Sequence, residues 1–273
     1  MARARSFIKL NGSMGETTFK QLGNKTFAND KVVVSKERVK YHSDYNFLRK
    51  NGKHLINASK SAKAVRDALS NLIDSCKDSK MAGRFTSEMM KVLKRDSSYD
   101  AFGRGMEARA ENMGLLLGFN FNHKASLRAI FNVAFTTEIN RQAGEVKINI
   151  ASFKPASAVK APPLARQFKI MAQVADIDFD PAVEFNKKFT RIGMYSSESI
   201  ELNQTPTEPL AITVKVNTGN VNTIFIALGV DFRDSTNMLY ASLDQSKRVN
   251  PGCIVAVDEG VTVPAKGIVG GKV

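Results

Sequence analysis

Apolar positions along the chain change period once, near residue 118. Before it, residues 6–35 read as an extended ribbon. Phe7 and Ile8, then Thr17, Thr18 and Phe19, then Phe27, and then Val32, Val33 and Val34 are strand-forming positions. Between them Asn11-Gly12, Gly15 and Gly23-Asn24 supply turn residues that tolerate positive φ. Three short amphipathic helices follow a polar connector. Ala62, Val65, Leu69, Leu72 and Cys76 recur at spacings of three and four, as do Phe85, Met89, Val92 and Leu93, and then Met106, Ala110, Met113 and Leu117. Asn57 or Ser59 is placed to cap the first helix, and Gly118 sits where a C-terminal cap belongs.

Beyond Phe119 the period is two. Phe131, Val133 and Phe135 alternate, and so do Val146, Ile148 and Ile150 after the loop at 140–144. The same pattern marks Phe168, Ile170, Ala172 and Val174, then Leu210, Ile212, Val214 and Val216, then Ile224, Ile226, Leu228 and Val230. Shorter strand candidates lie at 189–195, 238–241 and 254–257. Seven or more strands with no helical pattern between them predict an antiparallel β-sandwich, immunoglobulin-like or jelly-roll-like. The fold class expected is therefore α+β. Its parts are a β-ribbon arm and connector (1–53), a three-helix module whose members bury one another's apolar faces (54–118), and the sandwich (119–273).

Charge separates the two halves. Residues 1–124 hold 24 Lys and Arg against 12 Asp and Glu, whereas residues 125–273 hold 16 against 14, so nearly all of the net +14 lies in the first half. Such asymmetry calls for an anionic partner on one half only. Its densest stretch is the connector at 36–53. There Lys36, Arg38, Lys40, Arg49, Lys50 and Lys53 alternate with Tyr41, Tyr45 and Phe47. Lysines and arginines that neutralise phosphates beside rings that stack on bases make this stretch a candidate polyanion site.

Signatures of catalysis are missing. No Gly-x-x-x-x-Gly-Lys-Ser/Thr loop occurs, and Gly103-Arg104-Gly105 lacks both the third glycine and the preceding strand of a dinucleotide site. His42, His54 and His123 have neither metal-ligand spacing nor a nearby cysteine, and no Gly-x-Ser-x-Gly accompanies them. Cys76 and Cys253 read as two separate reduced thiols. Asp176, Asp178 and Asp180 would share one face of a strand, where three carboxylates suit a hard cation. An EF-hand's loop glycine and terminal glutamate are missing, and the run reads rather as the solvated face or edge of a strand, where charge blocks edge pairing. No cofactor, metal or catalytic residue is expected. No apolar run approaches the about 18–20 residues that span a bilayer, so no membrane insertion is expected. The start of the chain lacks the apolar stretch of a secretory signal and points to the cytoplasm.

The N-terminal half resembles an uncharacterised family of bacterial, bacteroidete-type hypothetical proteins. The resemblance is carried by Phe7-Ile8-Lys9-Leu10-Asn11-Gly12-Ser13-Met14-Gly15, by Arg49-Lys50-Asn51-Gly52, and by Thr86-Ser87-Glu88-Met89-Met90-Lys91-Val92-Leu93-Lys94. It weakens through Leu115-Leu116-Leu117-Gly118-Phe119. It implies the order ribbon, helices, sandwich, and no activity. The expectation is a non-enzymatic, self-assembling structural protein. Its partner is another copy of itself, reached by strand or arm exchange through Phe7, Ile8, Phe19, Phe27, Val32, Val33 and Val34, giving an oligomer, tube or filament. The alternative is a nucleic-acid-binding protein that uses the basic half on phosphate backbone.

Overall fold

The computed structural model describes residues 2–4, 11–23, 25–31, 33–96, 108–163, 165–179, 189–203, 206–217, 222–233 and 249–260. The chain divides into two compact units, Met1–Gly52 and Lys53–Val273. It is an α+β protein.

The first unit holds strands β1 (Ala2–Ala4), β2 (Gly12–Met14), β3 (Thr17–Leu22) and β4 (Lys25–Asp30), paired antiparallel in the order β1-β4-β3-β2. Gly15 and Gly23 occupy the left-handed region at φ +59°, which closes the two tight turns. Opposite residues in β3 and β4 pair Phe19 with Ala28 and Lys20 with Phe27, so the two phenylalanines point to opposite faces of the ribbon. Neither face is an apolar layer, and no described side chain of residues 11–52 is buried. Phe7, Ile8 and Val32 lie outside the described residues.

The connector expected at 36–53 is helical instead. Helix α1 (Lys36–Tyr41) is followed by a 3-10 turn (Ser43–Tyr45) and then α2 (Asn46–Ala68). The cause is local capping: Ser35 Oγ accepts from the Arg38 N–H at 3.1 Å, satisfying one of the free amides at the start of α1.

In the second unit α2 ends at a break at Leu69 and α3 (Ser70–Cys76) follows. The single helix expected over 62–76 is interrupted because Gln173 reaches it from the sheet. Its Oε1 accepts from the Leu72 N–H at 2.9 Å, and its Nε2 donates to the Ala68 carbonyl at 3.0 Å. α4 (Met81–Lys94) follows, and the third helix appears as a 3-10 segment, Ala110–Leu116. Gly118 ends it at φ +82°, as a C-cap glycine does, and its N–H donates to the Ile254 carbonyl at 2.9 Å. Met106 lies outside the described residues.

The sheets complete the second unit, joined by single helical turns α5 (Leu127–Ile130) and α6 (Pro155–Ala158). β5 (Phe135–Asn140) and β6 (Glu145–Ile150) form a hairpin. β7 (Gln167–Ile177), β8 (Phe189–Ser196), β9 (Ile200–Glu201), β10 (Leu210–Lys215), β11 (Thr223–Arg233) and β12 (Gly252–Asp258) follow. One sheet has the order β10-β6-β5. The other has the order β12-β11-β7-β8, with β9 beside β7.

β7 and β11 pair over their whole length, Thr223 opposite Ile177 through Arg233 opposite Gln167. Even-numbered residues of this pair (Phe168, Ile170, Ala172 and Val174; Ile224, Ile226 and Leu228) share a core with Val146, Ile148, Ile150 and Ile212 of the smaller sheet. Odd-numbered residues (Met171, Ala175, Ile177, Phe225 and Ala227) share another with Val65, Leu69, Leu72, Phe85, Met89 and Met113. The layers run helices, five-stranded sheet, three-stranded sheet. The helices thus bury their faces against the sheet, where the three-helix module was expected to bury them among its own members. An isolated trio of short helices exposes more apolar surface than one laid on a broad strand pair.

Asp176 departs from its expected place. β7 is paired on both sides, so Asp176 lies in a central strand and is buried, while Asp178 is half-buried; Asp180 lies outside the described residues. The strand candidate at 238–241 also falls outside them, and that at 254–257 is realised as β12.

Candidate interaction surface

Of the residues singled out for polyanion contact, Lys36, Arg38 and Lys40 are exposed on α1 and Lys53 is exposed on α2. Tyr41 is exposed too, with the Lys40 Nζ 5.0 Å from the centre of its ring. Tyr45 and Lys50 are half-buried. Arg49 has a structural task. Its Nη1 donates to the Val39 carbonyl at 2.6 Å and to the His42 carbonyl at 3.0 Å, and its Nη2 donates to Asn46 Oδ1. The guanidinium fork thereby satisfies carbonyls left open at the end of α1 and ties that end to the start of α2. His42 caps the intervening turn, its Nδ1 accepting from the Asp44 N–H at 3.4 Å. Sequence reasoning grouped six cations as one site; the structure keeps four of them exposed and commits Arg49 elsewhere.

Of the assembly residues, Val33 and Val34 are exposed before α1, and Phe19 and Phe27 are half-buried on opposite ribbon faces. The structure adds a feature that the pattern reading missed. Phe47, Leu48, Leu55 and Ile56 on the first turns of α2 are each more than half exposed. At about 100° per residue they fall within one half of the helix circumference, while Lys50, Lys53 and Lys60 fall on the other. The second half of α2 behaves differently: Ala58, Ala62, Ala64, Val65 and Ala68 are all fully buried. The signal was present as Leu48 and Leu55 seven residues apart, but the polar composition of the stretch masked it.

A groove of about 560 Å³ is lined by Arg84, Glu88, Leu117, Phe119, Asn120 and His123 among others. Its cation is already committed. Arg84 donates to the Asn120 and Phe121 carbonyls at 3.0 and 3.1 Å and to Asp78 Oδ2 at 2.7 Å, with its guanidinium 5.1 Å from the Phe119 ring centre. Asp78 also accepts from the backbone N–H groups of His123 at 2.7 Å and Lys80 at 2.8 Å. Burial raises the Asp78 carboxyl, but those amides and Arg84 outweigh it and hold the group below its ordinary value. The network locks the turn between α3 and α4 to residues 120–123.

Among the described residues no group of three or more His, Cys, Asp or Glu is placed to hold a metal. Cys76 and Cys253 are buried, and burial pushes the Cys253 thiol up to about 11 against the opposing pull of Arg128. No described helix is long and apolar enough to cross a membrane. No protein-family model, curated protein or solved structure matches the chain.

Proposed function

We propose that the chain is a non-enzymatic structural protein of a bacterial cytoplasm. Its subunits join through the N-terminal ribbon and the helices after it into an oligomer, tube or filament. One observation carries this reading: no described side chain of residues 11–52 is buried. Ordering a residue costs about 1–2 kcal/mol of backbone entropy, and a ribbon whose described side chains are at most half-buried has little apolar burial to offset it. A neighbouring subunit that covers the ribbon and its exposed edges supplies that burial. The apolar stripe of α2 adds surface of the kind that marks protein contacts. In this reading the paired sheets of the second unit are a β-sandwich buttressed by helices, and they form the rigid body of the subunit.

Nucleic-acid binding is a second reading, favoured by the exposed Lys36, Arg38, Lys40 and Lys53 beside the exposed Tyr41. Negative-stain microscopy with and without nuclease separates the two. Ordered particles that survive nuclease support assembly. Particles that vanish on digestion, from a protein that retards nucleic acid on a gel, support the second reading.

A further inference from the structure

The α2 stripe has basic flanks: Lys53 and Lys60 are both exposed beside Ile56. Two such stripes set face to face bring like charges together. The surface that fits is apolar and acidic, and the second unit carries one. The longest stretch of the chain without Lys or Arg is residues 192–214, and it contains Glu198, Glu201 and Glu208. All three glutamates are exposed.

The fold gathers this stretch on one side. Among the described residues β8 ends the five-stranded sheet and β10 ends the three-stranded one, and the two strands lie in contact. A methyl group placed on Gly193 of β8 would stand 3.1 Å from Val214 Cγ1 of β10. β9 lies along the same margin of β7, and Arg166 borders it through the Leu202 N–H to Arg166 carbonyl bond at 2.9 Å. Met194 of β8 is 41% exposed, while Leu202 and Leu210 are half-buried against the core between the sheets. Two sheet margins that are unpaired among the described residues, an exposed methionine and three glutamates make an acidic surface with an apolar projection.

Gly52 points to a close-packed partner. It lies inside α2 on the apolar half, where glycine is disfavoured against alanine, yet nothing among the described residues lies within 4 Å of a methyl placed there. The described residues of its own chain give no reason for a glycine; a second backbone packed against the stripe does.

We infer that the stripe of α2 in one subunit docks on the β8–β9–β10 margin of a second copy, with Lys53 and Lys60 against Glu198, Glu201 and Glu208. The contact joins two different surfaces. Repetition is therefore head to tail and closes into a ring or continues as a filament. This inference rests on the assembly reading above, and the experiment distinguishes the two.

Full-length chains are compared by light scattering at equal concentration, in low and high salt: wild type, the triple variant Glu198→Lys, Glu201→Lys, Glu208→Lys, and the double variant Lys53→Glu, Lys60→Glu. Far-UV circular dichroism reports their folding. The wild type is expected at multiples of 30.0 kDa and each variant at the single-subunit mass. An equimolar mixture of the two variants is expected to re-associate. Should lysines disturb β9, the triple Glu→Gln variant keeps side-chain size and is expected to lose association as well. An oligomer that both variants leave intact, or variants that dissociate and do not re-associate on mixing, overturns the docking and leaves assembly standing. A wild type that stays at 30.0 kDa removes assembly, and this inference with it.

Discussion

Replacing Gly252 by alanine places a methyl group 2.4 Å from Cys76 Sγ and 3.2 Å from both Leu72 Cδ2 and Phe121 Cδ2. Carbon atoms rest at about 3.5–4.0 Å, so the overlap with sulfur exceeds an ångström. The backbone of Gly252 is outside the left-handed region, so alanine meets no conformational penalty and the effect is steric. The site joins β12 to α3, where Cys76 and Leu72 are fully buried and cannot swing into solvent. Overpacking of this kind costs about 1–3 kcal/mol. Cys76→Ala removes one buried heavy atom and should cost about 0.5–1.5 kcal/mol, like other deletions of methyl size. In the double variant the new methyl enters the space that the sulfur left. The combined loss should then fall short of the sum by about 1 kcal/mol, within the range for touching residues. The chain has no Trp, so urea unfolding is best followed by far-UV circular dichroism. A double variant additive within about 0.3–0.5 kcal/mol would refute helix-to-sheet packing at this point.

Gln173→Leu should destabilise by about 2–4 kcal/mol, because the Leu72 amide and the Ala68 carbonyl both lose their buried partner; a melting temperature within a degree or two of wild type contradicts this. Asp78 has a folded value below its ordinary 3.8, so its contribution is present above pH 3.8 and lost as pH falls through the depressed value. Asp78→Asn should lower stability at neutral pH and flatten the acid limb of a pH–stability curve, and an unchanged acid limb would rule out that role. Gly52→Ala should stabilise the subunit by about 0.5–1 kcal/mol while weakening association, a pairing of signs that a merely structural glycine does not give; stronger association in the variant speaks against close packing.

The strands were legible because sheet periodicity survives burial on one face. The even positions of β7 and β11 announced themselves. The odd positions are equally apolar, and Met171, Ala175, Ile177, Phe225 and Ala227 are the mark of a sheet covered on both faces. Reading them as such places the helices on the sheet. The same oversight put Asp176 on an edge. The break between α2 and α3 depends on Gln173, about a hundred positions away, and no local pattern encodes it. The first turns of α2 were hidden by composition. Leu48, Leu55 and Ile56 sit among Lys, Asn and Gly, and their helical conformation leans on caps and on the Arg49 fork more than on burial. Of the candidate surface, the basic residues were visible as a run. Which of them remain exposed was decided by hydrogen bonds that only the folded chain displays.

Assembly through the N-terminal segment is tested most directly by the solution mass of the chain with and without residues 1–35. Both cores of the second unit are built from residues after 57, so the shortened chain should keep its circular dichroism and its unfolding transition. By light scattering over a concentration series, the full-length chain should exceed 30.0 kDa and grow with concentration, while the shortened chain should stay at single-subunit mass throughout. Equal subunit counts for the two chains, whether both are monomers or both form the same oligomer, would contradict the arm's role.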